Sequence, residues 1–181
     1  MTDEELIKGC IRKEARCQKG VFDRYAGRLL GVCHRYARNS ADAEDILQDS
    51  FIKIFDKITQ FKGEGSFEGW MRRIVVNTAL KKYSLTRYSK ETSFFDMPER
   101  YESGQDEKIH DHLSEKEIIA MISKLPDGYR MVFNLYVIEG YPHDEIAEML
   151  NIQPGTSRSQ LVKARLMLQK QIKESQLVVT I

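Results

Sequence analysis

Apolar residues recur three and four positions apart along most of the chain, the spacing of helices that bury one face. Thr2-Asp3-Glu4-Glu5 has the form of a capping box and predicts a first helix to about Lys19, with Gly20 as the break. A second helix holds Phe22, Tyr25, Leu29, Leu30, Cys33 and Tyr36 as core and fades at Asn39. Ser40 is the expected cap of a third, whose apolar stripe is Leu47, Phe51, Ile54, Phe55 and Ile58. After a glycine-bearing loop from Lys62 to Ser66, Ser66 caps a fourth, with Phe67, Trp70, Met71 and Ile74 inside.

Residues 84–113 lose this period. They are polar and net acidic, with Pro98, Gly104 and several serines, and read as a flexible linker. Phe94, Phe95, Met97 and Tyr101 are too many large apolar groups for a purely solvated tether, so part of it is expected to pack. A second capping box, Ser114-Glu115-Lys116-Glu117, opens a helix with Ile118, Ile122 and Leu125 on one face. The next follows Leu125-Pro126-Asp127, is expected to bury Tyr129, Val132, Phe133 and Tyr136, and ends at Gly140.

His143 to Arg165 then reads as two short helices around a tight turn. Ile146, Ala147 and Leu150 share the inner face of the first, and Ala147 is small enough for a close helix crossing. Asn151 accepts a left-handed conformation cheaply, Ile152 drops toward the core, and Pro154 suits a first helical position. Leu161, Ala164 and Leu168 face inward, leaving Arg158, Ser159, Val162, Lys163 and Arg165 outside. This is helix-turn-helix geometry. Thr156 to Lys173 carries five Lys or Arg and no Asp or Glu, the charge a helix entering a DNA groove needs. A plain helical hairpin with a basic solvated face has the same spacing. The fold class expected is all-α: two small helical domains, residues 1–83 and 114–174, joined by the linker 84–113, with a tail at 175–181 to which no role is assigned.

Composition narrows the function classes. Hydrophobic residues at 41% and charged residues at 30% describe a globular chain of 181 residues with no apolar run long enough to span a bilayer, and MTDEEL is not a signal peptide. A cytoplasmic location is expected. Cys10, Cys17 and Cys33 are an odd count without close pairing, so neither a disulfide framework nor a zinc site with His34 is expected. No cofactor is implied. His110 and His112 fall in the linker and His143 at a helix start, and no catalytic arrangement is apparent. Net charge is only +1, low for a protein that binds DNA unaided.

Two stretches besides the helix-turn-helix carry chemistry. On the third helix Asp42, Asp45 and Asp49 fall together opposite the apolar stripe, flanked by Glu44 and Gln48. The helix dipole favours acids near its N-terminus, yet clustered carboxylates repel, and a basic protein surface is a more economical partner than a metal because no loop wraps an ion. In the second stretch, aromatic Phe61, Phe67 and Trp70 border a flexible basic loop, with Arg73, Asn77 and Lys81 four apart on another face beside Arg72 and Lys82. That pairing of flat rings and cations suits single-stranded nucleic acid; the same rings also suit a core.

DAEDILQDSFIKIF, FKGEGSFEGWMRRIVVNTALKKY, LPDGYRMVFNLYVIEGY and the helix-turn-helix, in that order, resemble an extracytoplasmic-function (ECF) sigma factor of minimal two-domain type, over about Val21 to Ile172 apart from the linker. The resemblance implies a bacterial initiation factor that binds core RNA polymerase, locates a promoter and helps to open it. It assigns polymerase docking to Asp42, Glu44, Asp45, Gln48 and Asp49. Phe61, Lys62, Gly63, Glu64, Gly65 and Ser66 match the loop that receives a flipped base of the minus-ten element, and Asn77 matches a contact to that element. Arg158, Ser159, Val162 and Lys163 match readers of the minus-thirty-five duplex, and Arg165 a phosphate contact or helix support. An anti-sigma factor is a further partner common in the family. Pro142, Asn151 and Ser157 stand where the family has serine, glycine and valine, which bears on how tightly the helix-turn-helix closes. The alternative is a free-standing helix-turn-helix regulator that binds duplex DNA without polymerase.

A coil of about thirty residues spans roughly 30 Å on average and about 100 Å when stretched. Two elements two helical turns apart lie roughly 70 Å from each other, so polymerase would have to hold the linker extended. Deleting about ten linker residues is expected to abolish initiation while leaving each module folded; full activity of the shortened chain in a transcription assay would refute this.

Overall fold

The computed structural model describes residues 1–89 and 114–178, with side chains through 84 and from 114 to 175. Among these, all regular structure is helical. Helix α1 (Asp3–Ile11) opens on the expected box: the Glu5 N–H donates to the Thr2 hydroxyl and the Thr2 N–H to the Glu5 carboxylate. It stops earlier than Lys19. Lys13 turns left-handed, at φ 60°, and α2 (Ala15–Tyr36) starts two residues later and runs straight through Gly20. Gly20 is there for proximity: a β-carbon on it would lie 2.7 Å from Leu6 Cδ2, so the missing side chain lets α1 lie close on α2.

Helix α3 (Ser40–Lys57) is capped by Asn39, whose side-chain oxygen takes the Asp42 N–H at 2.9 Å; Ser40, the expected cap, is its first turn. A short 3₁₀ turn, Ile58–Gln60, leads to the loop and to α4 (Phe67–Ser89), which continues past the boundary expected at residue 83. Helices α2, α3 and α4 bury Val21, Leu29, Ile46, Ile54, Met71 and Val75 between them. Phe22, expected in the core, is 44% exposed, its ring lying against Phe51 at 4.8 Å. The aromatic residues expected to pack within the linker lie outside the described residues.

The C-terminal helices are α5 (Glu115–Ser123), α6 (Asp127–Phe133), α7 (His143–Leu150) and α8 (Pro154–Val178). The Ser114–Glu117 box caps α5 as expected, although Ile118 is exposed. Helix α6 runs into a π-helical turn, Asn134–Ile138, in which the Glu139 N–H reaches back to the Asn134 carbonyl at 3.0 Å. Its buried face is Arg130, Met131, Val132 and Leu135; of the residues expected there only Val132 is fully buried, and Tyr136 faces out. The wider turn shifts the side-chain phase that a uniform 3.6-residue period assumes.

The two groups of helices do not keep separate cores. Met131, Val132, Leu135, Ile146 and Leu161 belong to the apolar cluster that begins with Leu6. Polar contacts close its edge. Arg72 donates twice to Glu139, at 2.8 and 2.9 Å, and the Glu139 side chain is only 9% exposed. Asn134 Nδ2 donates to the Arg35 carbonyl at 2.6 Å, Arg130 Nε donates to the Tyr36 carbonyl at 3.1 Å, and Arg38 pairs with Asp127. Charge-assisted bonds of this kind contribute about 1.5–3 kcal/mol when sheltered, less where one partner is wet as Arg72 is. Glu139→Ala is expected to loosen the contact, read as a larger radius of gyration in small-angle X-ray scattering. An unchanged radius would mean that the apolar cluster alone holds the modules together.

Candidate nucleic-acid interface

On α3 the backbone sets a sharp division. Ala43, Ile46, Leu47, Ser50 and Phe51 point inward, and Glu44, Asp45, Gln48 and Asp49 are exposed on the other side. Asp42 differs from its neighbours. Lys82 Nζ of α4 lies 2.6 Å from it and 3.3 Å from Asp45, and the Arg38 N–H donates to its other oxygen at 3.2 Å. Burial pushes the Asp42 carboxyl up, but Lys82, the Arg38 N–H and their charges outweigh burial and hold it below its ordinary 3.8. The acidic face therefore has Asp42 committed to the fold, Asp45 sharing the same lysine from an exposed position, and Glu44 and Asp49 exposed beside Gln48.

At the other end of α4, Gly63 and Gly65 adopt φ of 78° and 87°, a conformation costly for any residue with a β-carbon. They turn the loop sharply enough for Ser66 to cap α4, its hydroxyl accepting the Gly69 N–H at 3.0 Å. Lys62 to Ser66 are all exposed. Behind them Phe61, Phe67 and Trp70 form a three-ring group with centroids 5.2 to 5.8 Å apart, Phe67 and Trp70 nearly parallel at 14°. Phe67 is buried, whereas Phe61 and Trp70 are only partly covered. The core and surface roles are thus divided among the rings. Arg73, Asn77 and Lys81 are exposed along one face of α4; Arg72 and Lys82 beside them are paired with Glu139 and with Asp42 and Asp45.

In the helix-turn-helix, Asn151 takes the left-handed conformation at φ 52° and ψ 53°, and the Ile152 N–H closes the turn on the Ala147 carbonyl at 3.0 Å. Pro154 is the first residue of α8. Ile146, Ala147, Leu150, Leu161 and Ala164 are buried as expected. Arg158, Ser159 and Val162 are exposed, with Lys163 and Leu168 partly covered. Val162 is 56% exposed, an apolar side chain set in water between cations. That arrangement suits a groove where a thymine methyl offers apolar contact and guanine offers acceptors to arginine. Ser157, singled out in the sequence only as standing where the family has valine, is wholly buried and lies 2.8 Å through its hydroxyl from His143 Nδ1. The partner His143, fourteen residues away, had no signal in the sequence.

Cys10, Cys17 and Cys33 are buried free thiols, and burial, with Cys17 and Glu14 nearby, pushes the Cys10 thiol up to about 11. Among the described residues no group of three or more His, Cys, Asp or Glu could hold a metal, and no helix is long and apolar enough to cross a membrane.

The family described as Sigma-70 region 2 matches residues 21–87, and Sigma-70, region 4 matches residues 115–168. The chain is 30% identical over 177 residues to the ECF RNA polymerase sigma-E factor of Salmonella typhimurium, covering 91% of each. It is 29% identical over 184 residues to that of Haemophilus influenzae, covering 95% of this chain and 96% of the relative. Two solved structures share the fold at 18% identity. One is CnrH in complex with the cytosolic domain of CnrY, with a TM-score of 0.50 over 95% of this chain and 97% of that one. The other is the sigma factor RpoE with the anti-sigma factor NepR from Bartonella quintana, at 0.51 over 86% and 96%.

Asp127 is held low in the same way as Asp42, with burial outweighed by Arg38 and Arg130. A carboxylate kept low when folded stabilises the fold fully above its unfolded value, because the unfolded chain takes up the proton first, and that stability is lost as pH falls. The melting temperature is expected to drop below about pH 4, and to drop less steeply in an Asp42→Asn/Asp127→Asn variant. Parallel curves would show that these pairs contribute nothing to acid sensitivity.

Proposed function

The chain belongs to the extracytoplasmic-function RNA polymerase sigma factors, and is therefore a transcription initiation factor; on that premise we propose how its surfaces divide the work. The acidic face of α3, Glu44, Asp45, Gln48 and Asp49 with Asp42 at its edge, docks on a basic surface of core RNA polymerase. The loop Phe61 to Ser66 receives a flipped base of the minus-ten element, Phe61 and Trp70 offering the flat surface and Lys62 the cation, and Asn77 contacts the same element. Arg158, Ser159, Val162 and Lys163 read the minus-thirty-five duplex. Residues 1–83 and 114–174 act as the two working modules. The chain serves as a non-catalytic specificity subunit in the cytoplasm, and an anti-sigma factor is a fitting regulator, since a protein of the same fold is held by one.

The observation that carries this reading is the separation of two nucleic-acid surfaces of different chemistry. Rings beside an exposed glycine loop suit unpaired bases, and an exposed Arg-Ser-Val face on a helix-turn-helix suits a duplex. A protein that handles both opens DNA as well as finding it. With net charge +1 the phosphate attraction of the chain alone is weak, which leaves polymerase to supply much of the affinity. Because the modules share a core here, reaching two elements roughly 70 Å apart requires them to part.

The test is an electrophoretic shift of a randomised promoter library with this protein, with core polymerase, and with both. Selective binding only in the mixture is expected. Glu44→Lys/Asp49→Lys is expected to abolish the complex with core polymerase while leaving the melting temperature nearly unchanged, since both carboxylates are exposed and stand away from the Lys82 ion pairs. Tight specific binding by the protein alone would favour a free-standing regulator instead.

A further inference from the structure

We propose that His143 and Ser157 are a positioning pair that fixes the start of α8 against α7, so that Arg158 and Ser159 meet the upstream duplex in register. The inference rests on α8 being the duplex-reading helix and adds two residues that touch no DNA.

The pair stands on geometry. Ser157 is fully buried, and a buried hydroxyl costs free energy unless it is bonded. Its partner is His143 Nδ1 at 2.8 Å. His143 is the first residue of α7, where Pro142 offers no side-chain cap, and this bond links that entry to α8 beside the apolar packing of Ile146, Leu150 and Leu161. The imidazole is also held from outside: the Tyr136 ring stacks on it with centroids 4.4 Å apart and planes at 18°. One ring thereby joins the π-turn, α7 and the first turn of α8. Arg158 and Ser159 follow Ser157 directly, so a shift of that turn moves both. A misplacement near 1 Å is enough to break bidentate contact with a base edge.

Charge gives the pair a second property. Arg158 and Arg165 of α8 and Asp144 of α7 act on the imidazole, and Tyr141 lines the same open hollow of about 520 Å³. Burial first, then Arg158, lower the histidine below its ordinary 6.5, with Arg165 adding and Asp144 opposing. In the neutral ring Nδ1 can accept the Ser157 hydroxyl proton; a protonated ring reverses the bond and sets a third positive charge beside the two arginines. Unfolded chains take up this proton more readily than the folded one, so the arrangement is fully supported above pH 6.5 and weakens as pH falls below it.

The experiment uses the protein bound to core polymerase, on the promoter recovered from the randomised library and on the same promoter with its upstream element scrambled. Ser157→Ala, Ser157→Val and His143→Ala are each expected to raise the half-saturating promoter concentration roughly three- to tenfold on the intact template. They should leave the scrambled template and the opening rate at saturation unchanged. The double variant His143→Ala/Ser157→Ala should be no worse than either single one. His143→Asn keeps a hydrogen-bonding group near the Nδ1 position without the ionisation. It should restore binding at pH 7.5 and remove the loss that the natural protein shows at pH values below 6.5. Additive losses, or equal losses on both templates, would overturn the pair. A natural protein indifferent to scrambling would overturn the duplex-reading role of α8 and the pair with it.

Discussion

Arg130 is a cation that the fold has taken almost out of water, at 2% exposure, and the joining of the two modules is built around satisfying it. Its guanidinium donates to the carbonyls of Ser123 and Leu125 at the end of α5, to Asp127 at the start of its own helix, and to Tyr36 at the end of α2. A buried charge without partners costs several kcal/mol, so these groups are held where they are by that need. Three helix ends thereby meet at one side chain, and Asp127 passes the connection on to Arg38 at the entry to α3. The turn leading to the acidic helix is in this way tied to the C-terminal module.

Much of this was legible in the chain wherever a local rule acts alone. The two capping boxes, the left-handed Asn151, Pro154 at a helix start and the inward face of Ile146, Ala147 and Leu150 are all settled within a few residues of sequence, and all are found as expected. What failed to show was set by partners distant in sequence. Gly20 looks like a break until Leu6 is seen against it, and the actual break at Lys13 is a lysine in a conformation that nothing nearby advertises. Asn39 and Ser40 are both good caps, and one residue of register decided between them. Tyr136 lies in the π-turn, partly in solvent and stacked on His143, a contact with no sequence signature.

The candidate surfaces divide along the same line. The acidic face, the glycine loop and the outer face of α8 could be named because exposed chemistry depends on spacing along one helix. Ser157 could not be understood that way. In place of an apolar side chain it brings a hydroxyl into the core, and only the fold reveals that His143 receives it. Trp70 and Phe67, equally suited to core or surface by type, are told apart only in the fold, where Phe67 is buried and Trp70 half-covered.

The π-turn at Asn134–Ile138 makes this part of the chain sensitive to length more than to composition. Its wider loop carries the extra residue that lets Asn134 face Arg35 and Glu139 face Arg72 from one continuous segment. Removing a single residue there would let the helix run on regularly, and everything beyond would rotate by about 100° against what comes before. Conservative substitutions would leave that phase intact, whereas a one-codon deletion would uncouple the modules without touching a residue proposed to read DNA.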